Sequence, residues 1–448
     1  MTDARNADPD TAVNVSTDVA KRASIAAFVG TAMEWYDFFL FTTAAALVFN
    51  VEFFTSENAF VASMASFATL AVGFVARPIG GLIFGALGDK IGRRRVLMIT
   101  VIGIGVVTAL IGMLPTYAQI GVWAPTLLVI LRFLQGLAVG GEWSGAVTFA
   151  IEHAPVEQRA KYAAIPQLGS PVGTILSSGG FFLVSALSSE EFFISWGWRI
   201  PFLIAIPLLL VAIVIRKHME ESPVFMQLEA EDAIAEQPIR EVFKSSWRQI
   251  VIAAMVAFTG VGGFYVVTTF IVSYGKSTLG LPANLLLFAA MIAAIAELGV
   301  LWIGGRLGVR YGANRVAVVG GIATVVMAFP VFLLVTTKVP VLVVLGMVIG
   351  IIVVSIPYAA QGAILTDLFP ARLRLSGVAI SSNLSSVLSG FMPLIATALV
   401  ATQGGHWWPV SVLLVVVAAI TLTGALLAPR HSAVHHITGA QLPARTEA

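Results

Sequence analysis

A chain of 448 residues that is 58% hydrophobic and 11% charged, with a mean hydropathy of +0.92, has the composition of a membrane protein, since soluble domains carry roughly a quarter charged residues. The formal charge of +2 leaves no basic excess that would mark a nucleic-acid binder. With no cysteine, disulfides, thiol catalysis and cysteine metal sites are excluded.

The chain begins with a polar, acidic stretch, TDARNADPDTAVNVSTD, which lacks the basic start and short apolar core of a cleaved signal. Residues 1–22 therefore read as a disordered cytoplasmic tail. Apolar runs of about 20 residues follow, each long enough to cross ~30 Å of hydrocarbon as a helix. Twelve recur, roughly at 24–49, 59–87, 96–114, 122–150, 163–187, 199–215, 250–274, 283–303, 316–336, 340–366, 376–401 and 408–428. This pattern predicts an all-α membrane protein of twelve transmembrane helices in two six-helix bundles, 23–215 and 250–429. The bundles are joined by a hydrophilic linker at 216–249 with the spacing of an amphipathic surface helix, and 430–448 forms a second tail. Arg199, Lys276 and Lys338 are the only basic residues in one set of loops, and Arg77 and Arg132 lie inside spans. The other Lys and Arg fall in the tails and the alternate loops, which places both termini in the cytoplasm.

The two halves echo each other. GDKIGRRR at Gly88–Arg95 corresponds to GVRYGANR at Gly308–Arg315, and EHAPVEQR at Glu152–Arg159 corresponds to DLFPARLR at Asp367–Arg374. Each copy follows an even-numbered span, which argues for duplication and a repeat architecture with a site at the interface of the halves. The second loop is a degenerate copy, with Val309 where the first has Asp89.

The loop at Gly85–Arg95 resembles the signature of the major facilitator superfamily, and RFLQGLAVG (Arg132–Gly140) resembles its span-four motif of proton-coupled members. EWYDF, RPIGGLIFGALGDKIGRRR, QGLAVGGEWSGA, EHAP, WGWRIPFL and ESPVF together are similar to the metabolite:H⁺ symporter family, over most of the first 225 residues. The resemblance implies the major facilitator fold and a carrier of metabolites such as shikimate, α-ketoglutarate, citrate, proline or betaine. The chain stops soon after its last span, unlike osmosensory betaine carriers with a long coiled-coil extension.

Within span one, Glu34 and Asp37 lie one turn apart and share a helix face. A carboxylate at mid-membrane costs ~3 kcal/mol or more, so each must face a cavity or a partner, as a structural ion pair or as a proton site. The cations inside spans are Arg77 and Arg132. Counting inward from the cytoplasmic ends, Glu34 and Arg77 reach similar depth and form a candidate resting pair, while Arg132 lies nearer Asp37. The resemblance implies Asp37–Arg132 as the coupling pair. Arg132, Gln135, Glu142 and Trp143 make a polar stripe on span four, with Glu142 read equally as a paired structural acid or a second proton stop. Gly136 and Gly140 have the spacing that lets a neighbouring helix approach.

Candidate pocket residues are Trp35 and Tyr36 on span one, Arg77, Arg132, Gln135 and Trp143, Gln167 on span five, Tyr265 on span seven, Tyr358 on span ten and Asn383 on span eleven. Serine and threonine neighbours such as Ser170, Thr174, Thr268 and Ser386 often bond their own helix backbone instead. Buried charge lies almost wholly in the first half; Glu297 in span eight is the exception, read as paired with Arg306 or Arg310. His153, at a helix end, reads as solvated. The resemblance implies a cytoplasmic latch built from Asp89, Arg93, Arg95, Glu152, Arg159, Asp367 and Arg374.

Gly275-Lys-Ser is no phosphate loop, because the pattern needs glycine where Phe270 stands. The residues together imply a monomeric, multi-pass carrier of the cytoplasmic (inner) membrane, without enzyme activity, metal or cofactor. It would import a small organic acid with a proton. The alternatives are symport of a zwitterionic osmolyte such as proline or betaine, and antiport that exports an acid.

Overall fold

The computed structural model describes residues 16–54 and 59–433, and among these the regular elements are all helices. The tail expected at 1–22 falls largely outside them; its described part is already helical from Thr17. Of the tail expected at 430–448, the described part continues the last helix to His431.

Eleven described helices are long and apolar enough to cross a membrane. The twelfth is span one, Thr17–Ala44, whose hydropathy is diluted by the run Glu34-Trp35-Tyr36-Asp37 that makes it of interest. Spans two to six are Ala59–Ile91, Arg93–Met113, Trp123–Glu152, Val156–Ser185 and Phe193–Lys217. Spans seven to twelve are Trp247–Lys276, Leu285–Tyr311, Ala313–Thr336, Pro340–Asp367, Ala371–Thr402 and Trp408–His431. The chain is a multi-pass, twelve-helix membrane protein, with large apolar side chains such as Leu187, Phe182 and Val341 on its outer surface.

The repeated loops fold alike. Spans two and three are separated by Gly92 alone, at φ 104°, and spans eight and nine by Gly312, at φ 89°. A one-residue reversal between helices needs the left-handed backbone that only glycine takes without strain. In the other pair, Pro155 and Pro370 each stand just past a helix that ends at Glu152 or Asp367 and cap a short 3₁₀ turn, Val156–Gln158 and Ala371–Leu373. Arg159 and Arg374 then open the next helix.

The linker departs from the single amphipathic helix expected. It forms two helices, Pro223–Ala230 and Pro238–Ser245. Each begins with proline, and Asp232 at φ 54° lies in the break between them. Val224 and Leu228 pack on Ala371, so this segment is bound to the second half's loop rather than only lying along a lipid surface.

Spans two and four cross closely at glycine. A Cβ on Gly136 would meet the Gly73 carbonyl, and one on Gly140 the Arg77 carbonyl. The halves meet on two seams, each lined by small residues. Span two lies on span eleven, where Gly85 faces Ala379 and Ser376; span five lies on span eight, where Gly305 faces Ala164 and Gly308 faces Ala160.

Gly140→Ala should therefore destabilise the purified protein by about 1–3 kcal/mol through overpacking against backbone that cannot retreat. Gly179→Ala, where a new methyl would meet nothing within 4 Å, should not. Thermal melting in detergent separates the two; equal melting temperatures would contradict the crossing.

Candidate functional site

Span one carries two acidic clusters. Asp37, 2% exposed, accepts hydrogen bonds from Thr108 of span three at 2.5 Å and from the Gln135 amide of span four. Arg132 lies 3.5 Å from its other oxygen and donates to Gln135 at 2.6 Å, with its guanidinium 4.2 Å above the Phe41 ring. The Asp37–Arg132 pair is thus brought together as expected. Gly73 leaves the room, because a Cβ there would meet Arg132 Nε at 2.6 Å. Thr108 was not among the candidates. A lone threonine in an apolar helix gives no signal, since it can bond its own backbone, and this one also reaches the Ile104 carbonyl at 2.7 Å.

One turn nearer the chain start, Glu34 faces Arg77 at 3.8 Å, beyond hydrogen-bond range. Arg77 also lies over Phe74 and Phe38 at 5.2 and 5.7 Å. This loose pair lines a cavity between the halves. Trp35, Trp143 and Val261 form its apolar wall, and Tyr358, Gln361, Asn383 and Ser386 its polar side. Glu34 Oε2 and Gln361 Oε1 are buried there without a hydrogen-bond partner among the described residues. One turn further along span one, an aromatic layer covers the cavity. Trp35 packs on Phe264 at 5.9 Å, and Phe38 on Phe74 and Tyr265 at 5.7 and 6.0 Å.

Several candidates are placed differently from the sequence reading. Tyr36 points about 100° away from Trp35 and out of the cavity, and its hydroxyl donates to the Pro201 carbonyl at 2.5 Å inside the first bundle. Tyr265 belongs to the aromatic layer. Arg132 and Gln135 are taken up by Asp37 and do not line the cavity, which leaves Arg77 as its cation. Gln167 acts as a bridge: its carbonyl accepts from Trp143 Nε1 at 2.8 Å, and its amide donates to the Tyr358 carbonyl across the halves at 3.3 Å. Asn383 bridges similarly to the Gly140 carbonyl at 2.8 Å. Thr174 and Thr268 bond their own helices.

Glu142 is held apart from the Asp37 cluster. It is fully buried, accepts from Thr100 at 2.5 Å and pairs with Arg216, which also donates to the Leu97 carbonyl. Arg216 had been assigned to the linker, but span six continues through Lys217 and carries it inward. A Cβ on Gly30 would strike both members of the pair. Of the two readings of Glu142, this partner favours the structural tie.

At the end where the repeated loops lie, the halves are locked together. Asp89 accepts from the backbone amides of Leu375 and Ser376 at 3.3 and 2.8 Å, at the first turn of the helix that Arg374 opens, and pairs with Arg93 at 3.2 Å. Arg93, wholly buried, pairs with Glu152 at 3.1 Å and donates to the Ala371 carbonyl at 2.9 Å. Glu152 in turn pairs with Arg374 at 3.3 Å and accepts from Ser222 of the linker at 2.5 Å. Arg159 and Asp367 are buried nearby, and the Asp367 carbonyl accepts from Ala433 at 3.1 Å. Arg95 is not part of this network: it donates to the Ile91 carbonyl at the end of span two, across the Gly92 turn, and is exposed. The linker's Glu221, absent from the candidates, accepts from the amides of Arg93 and Arg94 at 2.9 and 3.1 Å. His153, expected to be solvated, is 1% exposed, packs its ring against Phe149 with centroids 4.2 Å apart and donates to the Phe149 carbonyl at 2.8 Å. Burial pushes its imidazole below the ordinary range.

Residues 27–361 match the family described as Major Facilitator Superfamily. The shikimate transporter of Escherichia coli (strain K12) is 38% identical over 417 residues, 92% of this chain and 95% of that protein. The glycine betaine/proline/ectoine/pipecolic acid transporter of Dickeya dadantii (strain 3937) is 33% identical, covering 91% of this chain and 83% of that protein. Among solved structures, the proton:xylose symporter XylE bound to 6-bromo-6-deoxy-D-glucose superposes with a TM-score of 0.78 at 15% identity, over 94% of this chain and 98% of that one.

Breaking the Glu142–Arg216 tie with Glu142→Gln should destabilise the protein by about 3–5 kcal/mol, because it leaves a buried guanidinium unpaired. Replacing both residues with methionine should recover much of that loss. If Glu142→Gln leaves the melting temperature unchanged but removes proton uptake, Glu142 belongs to the proton path instead.

Proposed function

We propose, from the premise that this chain belongs to the major facilitator superfamily and is a transporter of it, that it is a proton-coupled symporter importing a small carboxylate-bearing metabolite across the cytoplasmic membrane. Both termini would face the cytoplasm, as the placement of Lys and Arg suggests. The single observation that carries the coupling is Asp37, a buried carboxylate whose cation partner, amide and hydroxyl donors come from two other spans. A proton on Asp37 cancels the charge that holds Arg132 and weakens the acceptor that Gln135 and Thr108 share. Spans three and four are then freed to shift against span one. Its release towards the cytoplasm restores the cluster.

Substrate enters through the second pair. Arg77 is the cavity's cation, and its contact with Glu34 is loose enough to be exchanged for a substrate carboxylate. Gln361, Asn383 and Ser386 offer hydrogen bonds to hydroxyls on the same molecule, and Trp35 and Trp143 cover an apolar ring face. When proton and substrate favour the same conformation, the two bindings are linked and one gradient drives the other. The latch of Asp89, Arg93, Glu152 and Arg374 would hold the cytoplasmic side shut while the outer side opens.

A second reading has its own support. Glu34 Oε2 has no hydrogen-bond partner among the described residues and lies beside Trp35 in the cavity, where a quaternary or secondary ammonium would find a carboxylate and an aromatic face. A zwitterion would then span Arg77 and Glu34.

Thermal stabilisation of the purified protein by shikimate, its methyl ester and glycine betaine separates these readings. The acid reading expects shikimate to bind and the ester to bind roughly 100-fold or more weaker, because a buried arginine then loses its partner. Equal binding of acid and ester would contradict it, and stabilisation by betaine that Trp35→Leu removes would favour the zwitterion.

Asp37→Asn in vesicles should lose proton-driven accumulation and keep some exchange of labelled substrate. Normal uphill transport by this variant would remove Asp37 from the coupling. Asp89→Asn should slow transport while leaving apparent affinity within a few fold, since it shifts the balance of states and not the pocket; collapse of affinity at full rate would contradict the latch.

A further inference from the structure

One buried acid belongs neither to the two clusters of span one, nor to the Glu142–Arg216 tie, nor to the latch. Glu297 lies in the middle of span eight and is 2% exposed. Among the described residues it forms no ion pair; its hydrogen-bond partner is Ser170 of span five. Arg306 and Arg310, expected from sequence to neutralise it, lie on the same helix about 14 and 20 Å further on at the helical rise. Arg306 instead stacks on Trp302 at 4.0 Å.

Span eight packs chiefly against spans ten and five. Span five meets Glu297 with the uncharged Ser170, and span ten with Tyr358, which lies within electrostatic reach of both Glu297 and Glu34. No charged side chain of spans five, seven, nine or ten pairs with it among the described residues. A charge so deeply buried, without a counter-ion among the described residues, is strongly disfavoured, and the neutral acid avoids that cost.

Its position gives the acid a role. Ser170 belongs to the first half and Glu297 to the second, so their contact crosses the seam where Ala164 faces Gly305 and Ala160 faces Gly308. Rocking of the halves slides or parts this seam, which removes the hydrogen bond and admits water. We propose that Glu297 is a second proton-binding carboxyl, neutral while the span five–span eight seam is closed and able to ionise when it parts. This rests on the reading above, in which the cytoplasmic side is shut while the outer side opens, and extends it: the proton at Asp37 sits within one half, and this one sits between the two. Tyr358, between Glu297 and the cavity, would let each acid sense the other.

Infrared spectroscopy of the protein in lipid tests this without any substrate, through the carbonyl stretch that protonated carboxyls show and carboxylates do not. At neutral pH, Glu297→Gln should lose a component of that band which Asp37→Asn retains. Glu297→Asp should restore it at a shifted frequency, with an unchanged amide band reporting an intact fold. Disrupting the latch with Asp89→Asn should let the Glu297 component titrate away at lower pH. A band unaffected by Glu297→Gln overturns the proposal, as does a component that ignores the latch. The outcome is separate from the coupling reading: uphill transport that survives in Asp37→Asn removes Asp37 and leaves the Glu297 band as it was.

Discussion

Hydrocarbon cannot solvate a charge, so each ionised side chain inside this bundle has to bring its own counter-charge from another helix. The fold follows that demand. Asp37 and Arg132 tie span one to span four, Glu34 and Arg77 tie span one to span two, and Glu142 and Arg216 tie span four to span six. Asp89, Arg93, Glu152 and Arg374 do the same between the halves. The pairs differ in strength. Arg216 is fixed by Glu142 and a backbone carbonyl together, whereas Arg77 meets Glu34 at 3.8 Å on the cavity wall. A carrier needs both kinds: permanent ties that keep each bundle rigid, and exchangeable ones whose partners a proton or a substrate can replace.

Symmetry and its breakage divide the labour. The loops are duplicated down to the glycine of the one-residue turn and the proline before the 3₁₀ turn, so both halves carry the same mechanical parts. The interiors diverge. Span one carries Tyr36 and Asp37 where span seven carries Tyr265 and Val266. Span seven contains two wide π turns, Thr259–Gly263, whose Val261 lines the cavity, and Val266–Phe270. Such turns recur at functional sites because they leave backbone groups less constrained.

The twelve spans were legible because hydrocarbon thickness sets a helix length that composition alone reveals. The pairing of Asp37 with Arg132 and of Glu34 with Arg77 agreed with depth counted along helices of fixed rise, a one-dimensional argument. Rotation was harder. Tyr36 shares the motif of Trp35 but looks into the bundle, since one residue turns the side chain by about 100°. Arg216 was lost because a run of charged residues marks a hydrophilic linker, although the last helical turn carries the first of them inward. Thr108 and Glu221 left no mark: one resembles any membrane threonine, the other any solvated linker acid, and both matter only through a helix far away in sequence.

The central claim is that a proton and a substrate shift the chain between states in which the latch is closed and open. The absence of cysteine allows it to be measured with no background, using spin labels at Glu157→Cys and Arg372→Cys, exposed positions after the corresponding prolines of the two halves. Pulsed electron resonance in lipid should give a short distance with the latch closed and a second, longer one populated on acidification with shikimate present, with Asp37→Asn altering the pH dependence of the exchange. A single distance at every pH, with and without shikimate, would contradict the account.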